Sequence, residues 1–107
     1  IKKLDMEKTI AGKAISVNEE GFLTDLNQWD QNIAHEIAKE EGIELRDEHF
    51  KVLNYLQEQH RNEVLLTIRK VGKSGVIDIK GLYSLFPGGP LKKSSKIAGI
   101  PKPASCI

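Results

Sequence analysis

The sequence has few of the residues that usually carry covalent or metal chemistry. Its 107 residues include one cysteine and three histidines. A lone cysteine excludes a disulfide within the chain and is typical of a reducing compartment such as the cytoplasm. No two histidines have the i, i+4 spacing of a zinc-binding helix, and no second cysteine could join them. We therefore expect no metal, no resident cofactor, and three histidines at the surface or its boundary: His35, His49 and His60.

Other common signatures are missing as well. No apolar run approaches the roughly 18 residues that a membrane span needs, and the first residues lack the apolar core of a signal peptide. There is no Gly-x-Ser-x-Gly elbow of a serine hydrolase and no phosphate-binding loop. We expect one cytoplasmic domain over residues 1–107 that does not contact a membrane.

Charge is divided unevenly along the chain, although the formal net charge is only +1. Residues 1–63 contain 8 Lys or Arg and 14 Asp or Glu, whereas residues 64–107 contain 8 and 1. The second part is therefore strongly basic. Such a surface favours an acidic protein partner, an anionic adduct or nucleic acid.

Short apolar stretches between turn residues predict a small β-meander at the N-terminus, with strands near 9–10, 14–17 and 22–23. Apolar residues at helical spacing then predict helices, the first of which would place Trp29, Ile33 and Ile37 on one stripe. Asn27 would cap this helix and Gly42 would end it. The pattern indicates an α+β domain with predicted helices at 28–41, 47–60, 64–71, 79–86 and 92–98.

The third and fourth predicted helices and the glycine-containing turn between them resemble a helix-turn-helix. Its cations could contact nucleic acid phosphates, but the second helix is apolar and holds only Lys80. Tyr83 and Phe86 on that helix are expected in the core. DNA binding is therefore the weaker alternative, and we do not expect direct contact with nucleic acid. Besides Lys80, the cations of this predicted helix-turn-helix are Arg69, Lys70 and Lys73.

We predict a C-terminal arm over residues 98–107, in which Cys106 is the second-to-last residue. Gly99, Pro101 and Pro103 prevent a helix there and favour an extended segment. A thiol in that place contributes little to a core but can react with another molecule. It can accept sulfane sulfur as a persulfide and pass it on by exchange. The cations expected to stabilise its anion, if the arm folds back, are Arg69, Lys96 and Lys102.

Two segments resemble the C-terminal signature of the DsrC/TusE family. Residues 81–90 match the pattern Tyr-x-Leu-Phe-Pro-x-Gly-Pro, and residues 96–107 match Ile-Ala-Gly-Leu-Pro-Lys-Pro-x-x-Cys followed by an aliphatic residue. The resemblance implies a small β-meander packed on an orthogonal helical array, with a helix-turn-helix-like part and a flexible C-terminal arm. It also implies a cytoplasmic sulfur carrier, whose penultimate cysteine receives a persulfide from a relay protein complex.

The family resemblance implies two classes of acceptor. TusE members pass sulfur to a tRNA thiouridylase, and DsrC members serve dissimilatory sulfite reductase. DsrC has a second cysteine eleven residues before the penultimate one, and that position is Ser95 here. The resemblance thus favours a one-cysteine persulfide carrier with sulfurtransferase-type activity. The alternatives are a gamma-type subunit or interaction partner of the reductase and, less favoured, a helix-turn-helix DNA-binding regulator.

Overall fold

A computed structural model describes residues 6–103. The first described element is an antiparallel hairpin of β1 (Met6–Ile10) and β2 (Lys13–Val17), paired from Met6 opposite Val17 to Ile10 opposite Lys13. Ala11 and Gly12 connect the strands with φ values of 54° and 79°. Two consecutive positive φ angles are typical of the tight turn whose twist matches that of the strands.

The predicted third strand is reduced to a single bridge between Val17 and Leu23. The chain turns before it because the Asn18 side chain accepts hydrogen bonds from the backbone of Glu20 and Phe22. Phe22 and Leu23 are both buried. This segment therefore adds apolar side chains to the core rather than another strand.

Between residues 6 and 103 the chain forms five α-helices, and a short 3-10 turn (Leu26–Gln28) precedes the first. All five correspond to predicted helices, and the α+β class is confirmed. No helix in this described part is both long and apolar enough to cross a membrane. The helices are α1 (Gln31–Glu40), α2 (Asp47–Arg61), α3 (Ile68–Gly72), α4 (Ile79–Leu85) and α5 (Pro90–Ala98).

The start of α1 differs from the prediction. Its cap is Asp30, not Asn27, because the Asp30 carboxylate accepts from the Ile33 amide at 2.9 Å. That hydrogen bond is the largest cause of the lowered pKa of Asp30, and the hydrogen bond from Lys13 is the second largest. Trp29 consequently lies before the helix rather than on its apolar stripe, and Gly42 ends the helix with a φ of 76° as expected.

Helix α3 is shorter than predicted, because it begins only at Ile68. The Thr67 hydroxyl accepts from the Lys70 amide at 3.0 Å, which fixes the start of the helix. Leu65, which the prediction placed inside this helix, is 74% exposed. The apolar run therefore contributes less to the core than its composition indicates.

The core lies where α5 packs against α2 and α1. Phe86 is fully buried as expected, but Tyr83 is 42% exposed, so its placement in the core was wrong. Helix α4 is amphipathic and presents Tyr83 on its outer face. The largest fully buried side chains of these helices are Ile33, Ile37, Leu53, Leu56, Leu82, Leu91 and Ile97.

Candidate functional site

The predicted reactive residue, Cys106, lies outside the described residues 6–103, as does the end of the predicted arm. The structure does describe the segment that leads to it. The site is therefore built from the base of that segment and from the side chains around it.

The C-terminal end of α5 is a tight, glycine-terminated cap. Gly99 adopts a left-handed conformation with φ of 77°, and its amide donates to the Lys96 carbonyl. The Ile100 amide donates back to the Ser95 carbonyl at 3.1 Å, the 6→1 bond of a Schellman motif. Residues 98–100, the start of the predicted arm, are buried, and Ile100 is only 1% exposed. The chain leaves the body of the protein only after Ile100.

Two side chains from elsewhere in the fold hold this cap in place. The Trp29 indole Nε1–H donates to the Ile97 carbonyl at 2.7 Å, and the Gln57 amide donates to the Ala98 carbonyl at 2.8 Å. The Trp29 ring also lies against Gly99, where an added Cβ would be 2.7 Å from Trp29 Cδ1. These contacts satisfy carbonyls that the end of a helix leaves without partners. We call Trp29, Gln57 and Gly99 the arm clamp.

The arm clamp does not follow from the sequence patterns. Helical spacing predicts Trp29 on the apolar stripe of the first helix, and the structure places it before that helix instead. The available signal was the spacing of Gln57, which lies four residues after Leu53 on the buried face of α2. A polar side chain on such a face needs a hydrogen-bond partner, and here that partner is the Ala98 carbonyl.

The structure brings Lys96 and Lys102 to the same place. Lys96 Nζ is 3.2 Å from a Glu41 carboxylate oxygen, and both side chains are only about a fifth exposed, at 19% and 22%. Lys102 Nζ is 3.0 Å from a Glu20 carboxylate oxygen. Glu20 and Glu41 line one cavity of about 220 Å³. The first residues of the arm thus run beside this cavity.

The cavity beside the arm is predominantly basic. Lys92, Lys93 and Lys96 line it together with the two glutamates. Lys93 donates to the Pro87 carbonyl at 2.8 Å, while Lys92 is exposed and makes no ion pair with the described residues. Positive charge therefore exceeds negative charge next to the segment that carries the thiol. Such surroundings favour an anion.

Arg69, the other predicted supporting cation, lies on the outer side of α3. It is exposed and lines a different hollow, of about 460 Å³, with Tyr55, Lys70 and Lys73 among its neighbours. Neither Lys96 nor Lys102 lines that hollow. Among the described residues, Arg69 is therefore not grouped with the lysines beside the arm.

Ser95, the position at which the resemblance to DsrC implies a second cysteine, is fully buried in α5. Its hydroxyl has no hydrogen-bond partner among the residues that the structure describes. The neighbouring Ser94 is equally buried, but its hydroxyl donates to the Leu91 carbonyl at 3.2 Å. The Ser95 side chain therefore faces the core rather than the cavity beside the arm.

His49 is buried, so the expectation of three surface or boundary histidines was wrong for this residue. Its Nδ1 accepts from the Arg46 amide at 3.1 Å, and its Nε2 is 3.0 Å from the Leu85 carbonyl. An acceptor role at Nδ1 requires the proton to be on Nε2, so the ring is neutral. Burial lowers the pKa of His49, despite the Leu85 bond that raises it. The ring links the start of α2 to the end of α4.

These features together are those of a small α+β domain built around a clamped, cysteine-bearing C-terminal segment. Residues 9–107 match the family model described as DsrC like protein. The chain therefore belongs to the DsrC-like family, which confirms the resemblance found in its C-terminal motifs. Among the groups of acidic, histidine and cysteine side chains in residues 6–103, none is suited to a metal ion.

Relatives of two named types match most of this chain. The sulfurtransferase TusE of Salmonella paratyphi A is 39% identical over 104 residues, covering 90% of this chain and 95% of the relative. The dissimilatory-type sulfite reductase gamma subunit of Nitratidesulfovibrio vulgaris is 34% identical over 103 residues, covering 94% and 98%. The NMR structure of Allochromatium vinosum DsrC has a TM-score of 0.78 at 36% identity, covering 96% of this chain and 99% of that chain.

Proposed function

We propose that this chain is a sulfur carrier that holds sulfane sulfur as a persulfide on Cys106 and passes it on in a sulfur relay. The observation that carries the proposal is the clamped base of the arm, which fixes Ile100 and leaves the thiol six positions further along the chain. At up to about 3.3–3.6 Å per residue, the thiol can extend roughly 20 Å from the core. That length lets it enter the reactive site of another protein.

The chemistry needs no cofactor and no external oxidant. The Cys106 thiolate attacks the outer sulfur of a donor persulfide, and the sulfur–sulfur bond of the donor breaks. The donor leaves as a thiolate, and Cys106 becomes a persulfide. An acceptor thiolate then attacks the outer sulfur in the same way and releases the Cys106 thiolate. Each step transfers one sulfur atom, and one anion replaces another.

The basic cavity supports this chemistry from its place beside the arm. Lys96 and Lys102 would favour the thiolate and the persulfide anion when the arm folds back towards the body of the protein. Their paired glutamates reduce that effect, and Lys92 adds a positive charge that no described carboxylate offsets. Arg69 would act on the thiol only in an arm position that reaches α3.

The partners are proposed from the two types of relative. A relay protein complex would supply the persulfide in the cytoplasm, and a tRNA thiouridylase or dissimilatory sulfite reductase would receive it. One thiol is sufficient for this transfer, because the persulfide never needs a second cysteine on the same chain. Ser95 therefore does not prevent relay, although it prevents closure of a bond within the chain.

A binding role without transfer is the second candidate. It is favoured by the relative named as a gamma subunit of sulfite reductase, which this chain matches over 98% of its length. In that case binding to the reductase would not depend on the Cys106 sulfur. The chain would act as an interaction module.

The two candidates differ in sulfur uptake. We expect the chain to gain one sulfur atom on incubation with a low-molecular-weight persulfide, as measured by intact mass, and to lose it on reduction. Cys106→Ser should gain none, while the control Ser105→Ala should behave as the parent chain. Equal uptake by Cys106→Ser would refute the carrier role. Reductase binding by a chain that accepts no sulfur would support the interaction module.

A further inference from the structure

A second basic surface lies on the outer side of α3, away from the cavity beside the arm. Arg69, Lys70 and Lys73 line a hollow of about 460 Å³ together with Tyr55, Thr67 and Ser74, and no carboxylate is among the lining residues. None of the three cations has an ion pair with any residue between 6 and 103. Uncompensated charges of one sign around a hollow favour an anionic ligand.

Apolar side chains are exposed on α4, which packs against α3. Ile79 and Tyr83 lie four residues apart on one face of α4, and they are 43% and 42% exposed. Ile79 also contacts α3, since an added Cβ at Gly72 would lie against its side chain. Val76, in the turn between the helices, is partly exposed as well. This apolar face therefore continues directly from α3.

Tyr55 of α2 joins the two features. It lines the basic hollow and also a second hollow of about 460 Å³ that contains Val76. The nearby carboxylates are Glu58, beyond Tyr55, and Asp78, whose side chain caps α4 through the Gly81 amide. The α3–α4 surface is defined by Arg69, Lys70, Lys73, Val76, Ile79 and Tyr83.

We propose that the α3–α4 surface docks an acidic, amphipathic segment of a protein partner. Carboxylates of that segment would occupy the basic hollow, and its apolar side chains would cover Ile79 and Tyr83. Exposed aromatic side chains and arginine are enriched at protein interfaces, especially where most binding energy is concentrated. A nucleic acid backbone would use the cations but leave the apolar face uncovered. The proposal is independent of sulfur transfer by Cys106.

The first experiment measures binding of two probes to the full chain by chemical-shift perturbation of its backbone amides. One probe is a synthetic amphipathic peptide with a glutamate face and a leucine face, and the other is a single-stranded oligonucleotide. We expect the peptide to shift the amides of α3 and α4 and to bind more weakly as salt is raised. Absence of shifts there, or shifts confined to other helices, would overturn the proposal.

Variants of the surface distinguish the contribution of charge to peptide binding from the contribution of apolar contact. The double variant Lys70→Glu with Lys73→Glu should weaken binding of the peptide by about tenfold or more, because each attraction becomes a repulsion. Tyr83→Ser should weaken it by a few-fold, roughly, through lost apolar contact. Lys39→Glu, which reverses a single charge at an exposed site on α1, serves as the control and should have no effect.

The oligonucleotide identifies the competing occupant. Tighter binding of the oligonucleotide than of the peptide, unchanged by Tyr83→Ser, would overturn the protein-docking proposal in favour of a nucleic acid surface. Thermal unfolding of each variant establishes that it is folded. Sulfur uptake at Cys106 should be the same in all of them, so failure of docking and failure of the carrier role give different results.

Discussion

The arm clamp predicts that two glycines in the same conformation will tolerate alanine very differently. Gly99 and Gly42 each follow the C-terminal end of a helix, with φ of 77° and 76°. An alanine Cβ at Gly99 would lie 2.7 Å from Trp29 Cδ1, whereas at Gly42 it would meet nothing within 4 Å. Both substitutions therefore place alanine in the same left-handed backbone conformation, and only Gly99→Ala adds a steric clash.

The expected magnitudes follow from these contacts. A left-handed conformation costs a non-glycine residue about 1–2 kcal/mol, and the entropy that alanine removes from the unfolded chain offsets the same amount at both sites. Crowding in a packed region adds about 1–3 kcal/mol. Gly99→Ala should then lower the free energy of unfolding by about 1–3 kcal/mol more than Gly42→Ala.

The assay is denaturant unfolding of the parent chain and both variants, with thermal unfolding as a second measurement. At this chain length, each kcal/mol lost from the free energy of unfolding lowers the unfolding temperature by about 4–8 °C. Equal destabilisation by the two substitutions would show that Trp29 does not press on Gly99. The same result would remove one of the contacts that fix the base of the arm, beside the hydrogen bonds from Trp29 and Gln57.

Two further predictions concern buried polar groups. Burial lowers the pKa of His49 from 6.5. As pH falls below about 6.5, the unfolded chain therefore binds more protons than the folded chain, and the free energy of unfolding should decrease. His49→Gln should flatten the dependence of the unfolding free energy on pH between about 7 and 5, and an unchanged slope would contradict the neutral-ring assignment. Ser95→Ala should stabilise the chain or leave it unchanged, because it removes a buried hydroxyl that has no partner among residues 6–103. Ser94→Ala should instead destabilise the chain by about 1 kcal/mol, because its hydroxyl is hydrogen-bonded. Reversal of that order in denaturant unfolding would mean that the Ser95 hydroxyl is hydrogen-bonded.

Local patterns were sufficient to predict the helices, because each has apolar residues at helical spacing and a recognisable end. The glycine that ends α1 and the one that ends α5 were both identified from sequence. The start of α1 was missed by three residues, because Asn27 and Asp30 are both good capping residues. In the structure Asp30 caps the helix, and Asn27 lies within the preceding 3-10 turn.

The parts that could not be predicted depend on contacts between distant residues. Gln57 and Ala98 are 41 positions apart, and His49 and Leu85 are 36 apart. No local pattern reports such a pair, although the places of Gln57 and His49 on the buried face of α2 indicate that each needs a partner. The position of Cys106 and the family resemblance both predict that it is the reactive residue, but neither predicts what holds the base of the arm.

For the sulfur exchange proposed at Cys106, the buried position of Ile100 has a consequence for the rate. The thiol is six positions from this fixed point, so it remains within roughly 20 Å of it. A partner docked on the body of the protein would therefore meet the thiol at an effective concentration of millimolar order or higher. Weak docking would then be enough for rapid exchange, and quick release could follow each transfer. A longer tether would dilute the thiol, and a shorter one would restrict which partner sites it could reach.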